Sequence, residues 1–158
     1  MIDFNIDPNK SVSDYIGGWI DSNFHSGLVQ SCNKYVKQPI GELTAEAIRL
    51  LLSQKIGLIC IVPAAISFLK NDPFSGGDYE EGALLRELLC VEKSFWLENP
   101  KHKEAVEILI SYTKKKVDDL SITIDLDLDL NIIEENIKRG LEVFYSQDDG
   151  ENKILTGE

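Results

Sequence analysis

The sequence predicts a mainly α-helical fold: one multi-helix domain over residues 1–158, with a small two-stranded β element. Three observations support this prediction. A chain of 158 residues can enclose one sizeable core. Apolar residues recur every three or four positions through most of the chain, which is typical of amphipathic helices. Residues 122–130 instead alternate apolar and polar side chains, which predicts a strand.

Four helices are predicted in the first half of the chain. The first opens at Ser11, where a Ser-x-x-Asp capping pattern begins, and ends at Gly17. Apolar residues at helical spacing predict a second helix over residues 26–37. Thr44 is placed to cap the third helix. The fourth, over residues 58–70, is apolar on nearly all sides, as expected for a helix in the centre of a core.

The third of these helices is predicted to be amphipathic. Glu46, Arg49 and Lys55 are expected to be exposed, beside an apolar stripe of isoleucine and leucine. Gly57 is expected to end this helix.

A glycine-rich, acidic stretch, residues 71–82, follows the central helix. Gly77 supplies the freedom to adopt a positive φ. Asp78 is predicted to cap a new helix that begins at Tyr79, with an acid three residues later completing the pattern. We interpret Gly77, Asp78 and Gly82 as a structural motif that makes a corner between two helices.

Two potential ligand sites are rejected by their residue types. The helix after the glycine pair could attract an anion, but Asp78, Glu80 and Glu81 already place negative charge there. The alternating aspartates of the predicted strand resemble the start of a calcium loop, whose sixth and twelfth positions must be Gly and Glu. Those positions hold Leu130 and Asn136. No metal and no cofactor is therefore predicted.

The histidines and cysteines offer little chemistry. His25 and His102 lack a metal-binding spacing, so both are expected to be exposed and without a role. The odd number of cysteines, without a CxxC pair, predicts reduced thiols and a cytoplasmic location, with Cys60 and Cys90 buried in apolar runs. A nucleophilic pair of Cys32 and His25 would make the protein a small enzyme, but Cys32 falls on the apolar side of its helix.

Two further helices precede the period change. A short helix carries Phe95 and Trp96 as packing residues and ends at Pro100. A longer one is predicted over residues 101–116, and its closing lysine triplet complements the negative end of the helix dipole.

The β element is predicted from alternation alone. Residues 122–130 would form one strand, and residues 2–6, which alternate similarly, are its expected partner because a lone strand is not stable. Aspartate is a poor strand former. Asp129 or Asn131 then caps a final amphipathic helix that runs to about Tyr145.

Negative charge is concentrated in the last quarter of the chain. The net charge is −11, yet residues 1–116 hold 15 acidic and 13 basic residues, whereas residues 117–158 hold 12 acidic and 3 basic residues, a net charge of −9. We divide the latter into an acidic strand and helix over 117–146 and a solvated tail over 147–158. Such a surface repels phosphate and attracts a basic protein, so no direct nucleic-acid contact is predicted. No apolar run reaches the ~20 residues of a membrane span.

Five segments stand in a family-like order and spacing: "SGLVQSC" (26–32), "PIGELTAEAIRLLLSQKIGL" (39–58), "VPAAISFL" (62–69), "DPFSGGDYEEGALL" (72–85) and "FW" (95–96). Together they resemble a helical branch of the immunity proteins of contact-dependent growth inhibition systems. These cytoplasmic proteins neutralise a toxin domain delivered by neighbouring bacteria. The resemblance covers about residues 10–112 and implies a toxin as the partner. Glu81 and Ala83 depart from the expected proline and acid, which bears on helix capping.

The resemblance and the charge pattern together predict a stoichiometric antidote that carries no catalysis. A nuclease toxin is hypothesised, because such a toxin presents positive charge to phosphate and an acidic protein can cover it. A membrane-active or other toxin is the alternative. We predict a toxin-binding surface formed by Asp125, Asp127 and Asp129, a row on one strand face, together with Glu134 and Glu135.

Tyr79 and Glu80, in the corner, are secondary candidates for this interface. The competing interpretation of the aspartate row is a solvated strand face that only blocks edge pairing. At the level of the whole protein, a helical adaptor or regulator and a small Cys/His enzyme are the alternatives to an antidote.

Overall fold

The computed structural model describes residues 4–122 and 129–155, with side chains described as far as Ser146 except for Ile122. Within these ranges the chain forms eight α-helices and one 3-10 turn, Ile40–Glu42. The helices are α1 (Val12–Tyr15), α2 (Gly27–Tyr35), α3 (Ala45–Ser53), α4 (Leu58–Asn71), α5 (Ala83–Leu89), α6 (Lys93–Glu98), α7 (Pro100–Ile122) and α8 (Leu130–Leu155).

Local side-chain caps start the first three helices. The Ser11 amide donates to the Asp14 carboxylate at 2.8 Å, and the Asp14 amide donates back to the Ser11 hydroxyl at 3.2 Å, which is the predicted capping box. The hydroxyls of Ser26 and Thr44 cap α2 and α3 by accepting one backbone amide each. The predicted starts of these helices are therefore confirmed.

Helix α4 forms the centre of the core, as predicted. It packs against α1, α3, α5 and α7, and Ile61, Ile66 and Leu69 are at most 1% exposed. Gly57, with a φ of 63°, precedes its first residue. A side chain at Gly57 would place its Cβ 2.4 Å from Val12 Cγ1, so this glycine also lets α1 approach α4 closely.

Helix α8 packs mainly on α5. A Cβ added at Gly140 would lie 2.8 Å from Leu89 Cδ1, so the two helices approach closely where glycine stands. Further along, the buried Phe144 ring meets the Trp96 ring of α6 edge to face, with centroids 5.7 Å apart. These contacts attach the acidic final helix to the core.

The predicted β element is not found in the described residues. Ile122 is the last residue of α7 and Leu130 is the first of α8, so both ends of the predicted strand are helical. Residues 4–7, at the end of the predicted partner strand, form no strand either. Residues 123–128 and 1–3 lie outside the described ranges. Aspartate is depleted in strands, whereas at Asp129 it caps a helix, which is a position it favours.

The last two helices are longer than expected. Helix α7 continues beyond the lysine triplet to Ile122, so those lysines lie within the helix and do not end it. Val106, Ile110, Thr113 and Val117 are all buried, which shows that the apolar face continues past residue 116. Helix α8 extends past Tyr145 to Leu155, into the range expected to be a tail.

Candidate functional site

The corner between α4 and α5 does not begin a helix at the expected place. Helix α5 begins at Ala83, after Gly82, which has a φ of 87° and makes no side-chain cap hydrogen bond. The Gly82 amide donates to the Phe74 carbonyl at 2.8 Å, which turns the corner back on itself. Because the chain is still turning at this point, the helix cannot start earlier. The prediction that Asp78 caps a helix beginning at Tyr79 is wrong.

Two glycines allow the corner to fold tightly against α3. The φ of Gly77 is 64°, which confirms the predicted positive φ. A Cβ at Gly77 would lie 2.8 Å from the Cα of Glu46. A Cβ at Gly76 would lie 2.0 Å from the Glu80 carbonyl oxygen, a separation that no side chain can tolerate. The corner is thus shaped by close backbone packing.

An arginine and a glutamate of α3 hold the corner in place. Arg49 donates from Nε to Glu46 Oε2 at 2.8 Å and from Nη2 to Glu46 Oε1 at 2.6 Å. Glu46 Oε2 also accepts the Asp78 amide at 3.0 Å. The Arg49 guanidinium lies 3.9 Å from the centroid of the Tyr79 ring, while Tyr79 itself is 55% exposed. The Arg49–Glu46 pair therefore holds the corner beneath Tyr79, whose side chain remains exposed to solvent.

This cluster corrects the expectation that Arg49 is exposed, because the residue is 6% exposed. A buried guanidinium requires a partner, and the bidentate carboxylate supplies one. The hydrogen bonds from Arg49 hold the pKa of Glu46 below its ordinary value. The same hydrogen bonds raise the pKa of Arg49. Both groups are charged at neutral pH.

A second polar cluster joins the corner to α8. Arg86 Nη1 donates to Glu80 Oε1 at 3.1 Å and also to the side-chain carbonyl of Asn136. Asn136 Nδ2 donates to the Glu81 backbone carbonyl at 2.8 Å. Asn136 is 2% exposed, so a buried amide ties the acidic helix to the corner.

The structure describes three of the five residues predicted to form the toxin-binding surface, namely Asp129, Glu134 and Glu135. Asp129 Oδ1 accepts the amides of the second and third residues of α8 at 3.1 and 3.2 Å, so this carboxylate is an N-cap. Glu134 and Glu135 are exposed neighbours on α8. Asp125 and Asp127 lie outside the described residues. Asp129 is thus one of the two caps predicted for the final helix, and it is not part of a strand.

Glu134 and Glu135 line different depressions. Glu135 shares a shallow depression with Glu80, so α8 and the corner contribute one carboxylate each; Glu135 also accepts from Arg139 Nε at 3.0 Å. Glu134 stands beside a groove of about 560 Å³ between α7 and α8. The groove is lined by Lys114, Val117, Asp118, Glu134, Ile137, Lys138, Leu141, Glu142 and Tyr145.

The candidate nucleophile, Cys32, is buried, and one of the two histidines, His102, is half-buried. Cys32 is 5% exposed, and burial raises the pKa of its thiol, which disfavours the reactive thiolate. Burial raises the pKa of Cys60 to about 11, and Cys90 is exposed, contrary to expectation. His102 is half-buried, because its ring lies against Phe4 with centroids 4.2 Å apart. The expectation that His102 is exposed is wrong.

The described residues contain neither a candidate metal site nor a candidate membrane-spanning helix. Across residues 4–122 and 129–155, no group of three or more His, Cys, Asp or Glu side chains is arranged to hold a metal ion. None of the helices in that part of the chain combines the length and apolar character needed to cross a bilayer.

Sequence reasoning missed the polar residues that organise the site. In the sequence, nothing distinguishes three of them from the other polar residues of a helix: Arg49, Arg86 and Asn136. The partner of Arg49 is three residues away, but its burial depends on Tyr79, which belongs to the corner. Asn136 lies 50 residues from Arg86. No local pattern identifies such contacts.

The fold defines a small helical protein whose final helix is hydrogen-bonded to a tightly packed, glycine-rich corner. A family model for CDI immunity proteins matches residues 18–106, more than half of the chain, and the protein belongs to this family. No curated protein and no solved structure is significantly similar to it. The resemblance noted in the sequence is confirmed. The role of the protein is that of an immunity protein, which binds a cognate CDI toxin.

Proposed function

We propose that the protein neutralises its toxin by stoichiometric binding in the cytoplasm, without catalysis, and that this toxin is a basic nuclease domain. The observation that carries the proposal is the net charge of −9 on residues 117–158, set against −2 for the rest of the chain. A nuclease must offer positive charge to phosphate, and a surface of carboxylates competes for the same cations. Electrostatic attraction also speeds the encounter of the two proteins.

The surface that we propose for this contact is centred on the first half of α8. Glu134 and Glu135 are exposed there, and Glu80 of the corner shares a depression with Glu135. Asn136 and Arg86 hold the two elements together, so these carboxylates belong to one rigid unit. The proposed interface therefore combines Glu134 and Glu135, which are primary candidates from the sequence, with Glu80, which is a secondary candidate. The predicted contribution of Asp125 and Asp127 stays part of the proposal.

The test uses the toxin domain of the cognate CDI system. We expect it to copurify with the immunity protein and to cleave nucleic acid when alone, and we expect an equimolar amount of the immunity protein to abolish cleavage. A toxin domain that binds tightly but cleaves neither DNA nor RNA would refute the nuclease assignment. An inhibition that needs far less than one equivalent would refute stoichiometric action.

A pair of charge reversals tests the surface itself. Glu134→Lys with Glu135→Lys is compared with Glu104→Lys and Glu107→Lys, two exposed acids of α7 that give the same change in net charge. The α8 variant is expected to slow association and weaken the complex about tenfold or more, with a smaller effect at high salt. The α7 variant controls for net charge alone. Equal effects of the two variants would show that the contact lies elsewhere.

A further inference from the structure

Several large apolar side chains are exposed on residues 16–28, which connect α1 to α2 and include the first two residues of α2. Ile20 is 94% exposed and Phe24 is 70% exposed, the two highest values among the large apolar residues of the described chain. Ile16 and Leu28, at the two ends of the segment, are 39% and 45% exposed. Scattered apolar residues are normal on a surface, but a group on one segment is a mark of an interaction site.

This segment, residues 16–28, is held in a fixed shape by one buried amide. Asn33 of α2 is 6% exposed. Its Oδ1 accepts Trp19 Nε1 at 3.1 Å and the Ser22 amide at 3.3 Å, and its Nδ2 donates to the Ser22 carbonyl at 3.0 Å. Both the oxygen and the nitrogen of the Asn33 side-chain amide therefore form hydrogen bonds with the segment. The loop has no helix or strand of its own between residues 18 and 26, yet its backbone is positioned.

Further hydrogen bonds hold the backbone at Phe24 in place. The Phe24 carbonyl accepts Gln30 Nε2 at 2.9 Å, and the Phe24 amide donates to the Ser22 hydroxyl at 3.3 Å. Asp21, next to Ile20, forms an ion pair with Lys37. The immediate surroundings of Ile20 are thus close to neutral, and the segment presents apolar side chains from an ordered backbone. Little backbone freedom of this segment remains to be lost when a partner binds.

We infer that Ile20 and Phe24 are apolar anchors that insert into the cognate toxin domain. This inference rests on the proposed function. A few large side chains that are desolvated on binding carry most of the affinity of protein interfaces. The segment also lies largely within the family-matched residues 18–106, whereas α8 lies outside them.

The charge of the chain favours a toxin over a second copy of the protein as the occupant. Two copies that each carry −11 repel one another, whereas a basic toxin domain is attracted. The net negative charge of the chain thus accelerates the encounter with the toxin, and the apolar anchors at residues 16–28 hold the complex together.

The test compares substitutions of large apolar residues that are all more than half exposed. Ile20→Ser with Phe24→Ser removes the anchors, and Leu97→Ser with Ile108→Ser removes two side chains that are 61% and 58% exposed elsewhere. Far-UV circular dichroism and thermal unfolding check that both variants are folded. Affinity for the cognate toxin domain is then measured by calorimetry. We expect the anchor variant to bind at least about 30-fold more weakly, mainly through faster dissociation, and the control to bind as the parent does.

Each outcome decides the inference. If the parent binds the toxin and the anchor variant binds equally well, the inference is overturned while the proposed function stands. If the parent does not bind, the proposed function itself fails. If sedimentation shows a parent dimer that the anchor variant dissociates, with toxin affinity unchanged, the segment is a self-association surface and the inference is wrong.

Discussion

Replacement of Arg49 by methionine is expected to lower the free energy of unfolding by about 2–4 kcal/mol. Removing one partner from a buried ion pair leaves the other charge uncompensated, which costs about 3–5 kcal/mol when both are fully buried. The Arg49 side chain is 7% exposed and that of Glu46 is 17% exposed, so water can compensate part of the loss. The guanidinium also leaves the Tyr79 ring, which adds the loss of a cation–π contact.

A double-mutant cycle separates the ion pair from simple packing. Glu46→Gln removes the charge but keeps an oxygen that can accept the Asp78 amide. The double variant Glu46→Gln with Arg49→Met has no buried charge left, so it should be more stable than Arg49→Met alone. We expect a coupling energy of at least about 1 kcal/mol between the two sites, since the residues share two hydrogen bonds.

Urea denaturation followed by circular dichroism measures these free energies by linear extrapolation. Arg139→Met is the matched control, because Arg139 pairs with Glu135 on the surface of α8, with side chains 62% and 52% exposed. Such exposed pairs contribute about 0.5 kcal/mol or less. If Arg49→Met destabilised the protein no more than Arg139→Met does, the corner would not depend on the buried pair and the reasoning would be refuted.

Three further predictions concern single positions. Gly77→Val should lower the free energy of unfolding by about 1–3 kcal/mol, because the φ of Gly77 is 64° and a Cβ there would meet Glu46. Asp78→Ala should change the free energy of unfolding by less than about 0.5 kcal/mol, since Asp78 caps no helix. Urea midpoints of the two variants check this, and an equal loss would contradict it. Asp129→Ala should cost about 0.5–2 kcal/mol through the lost cap of α8, while Asp129→Asn should be nearly neutral; equal urea midpoints for the two variants would show that the cap contributes nothing. Burial lowers the pKa of His102 from 6.5, so the unfolded chain binds more protons below that pH and stability should fall as the pH decreases from about 6.5. Thermal unfolding of His102→Gln over this range should show a smaller decline, and an unchanged decline would assign it to another group.

The sequence determined the features that depend on neighbours a few residues apart. Ser11 and Thr44 reveal helix starts because a cap bonds to an amide two or three positions ahead, and Gly77 reveals a turn because other residues avoid a positive φ. The central helix was predicted because residues 58–70 are apolar on nearly all sides, and the family from five ordered segments. The concentration of negative charge after residue 116 also required only counting.

Tertiary structure decided the rest, for a physical reason. Whether Arg49 is buried depends on the corner that folds over it, and the Asp78 amide that completes the cluster is 32 residues from Glu46. Gly82 precedes α5 because the chain must first pack on Phe74 and on Asn136. Alternation over residues 122–130 suggested a strand, yet its described ends continue α7 and begin α8, whose apolar faces find partners in the core. Local pattern records what each residue prefers, whereas burial and long-range hydrogen bonds select among those preferences.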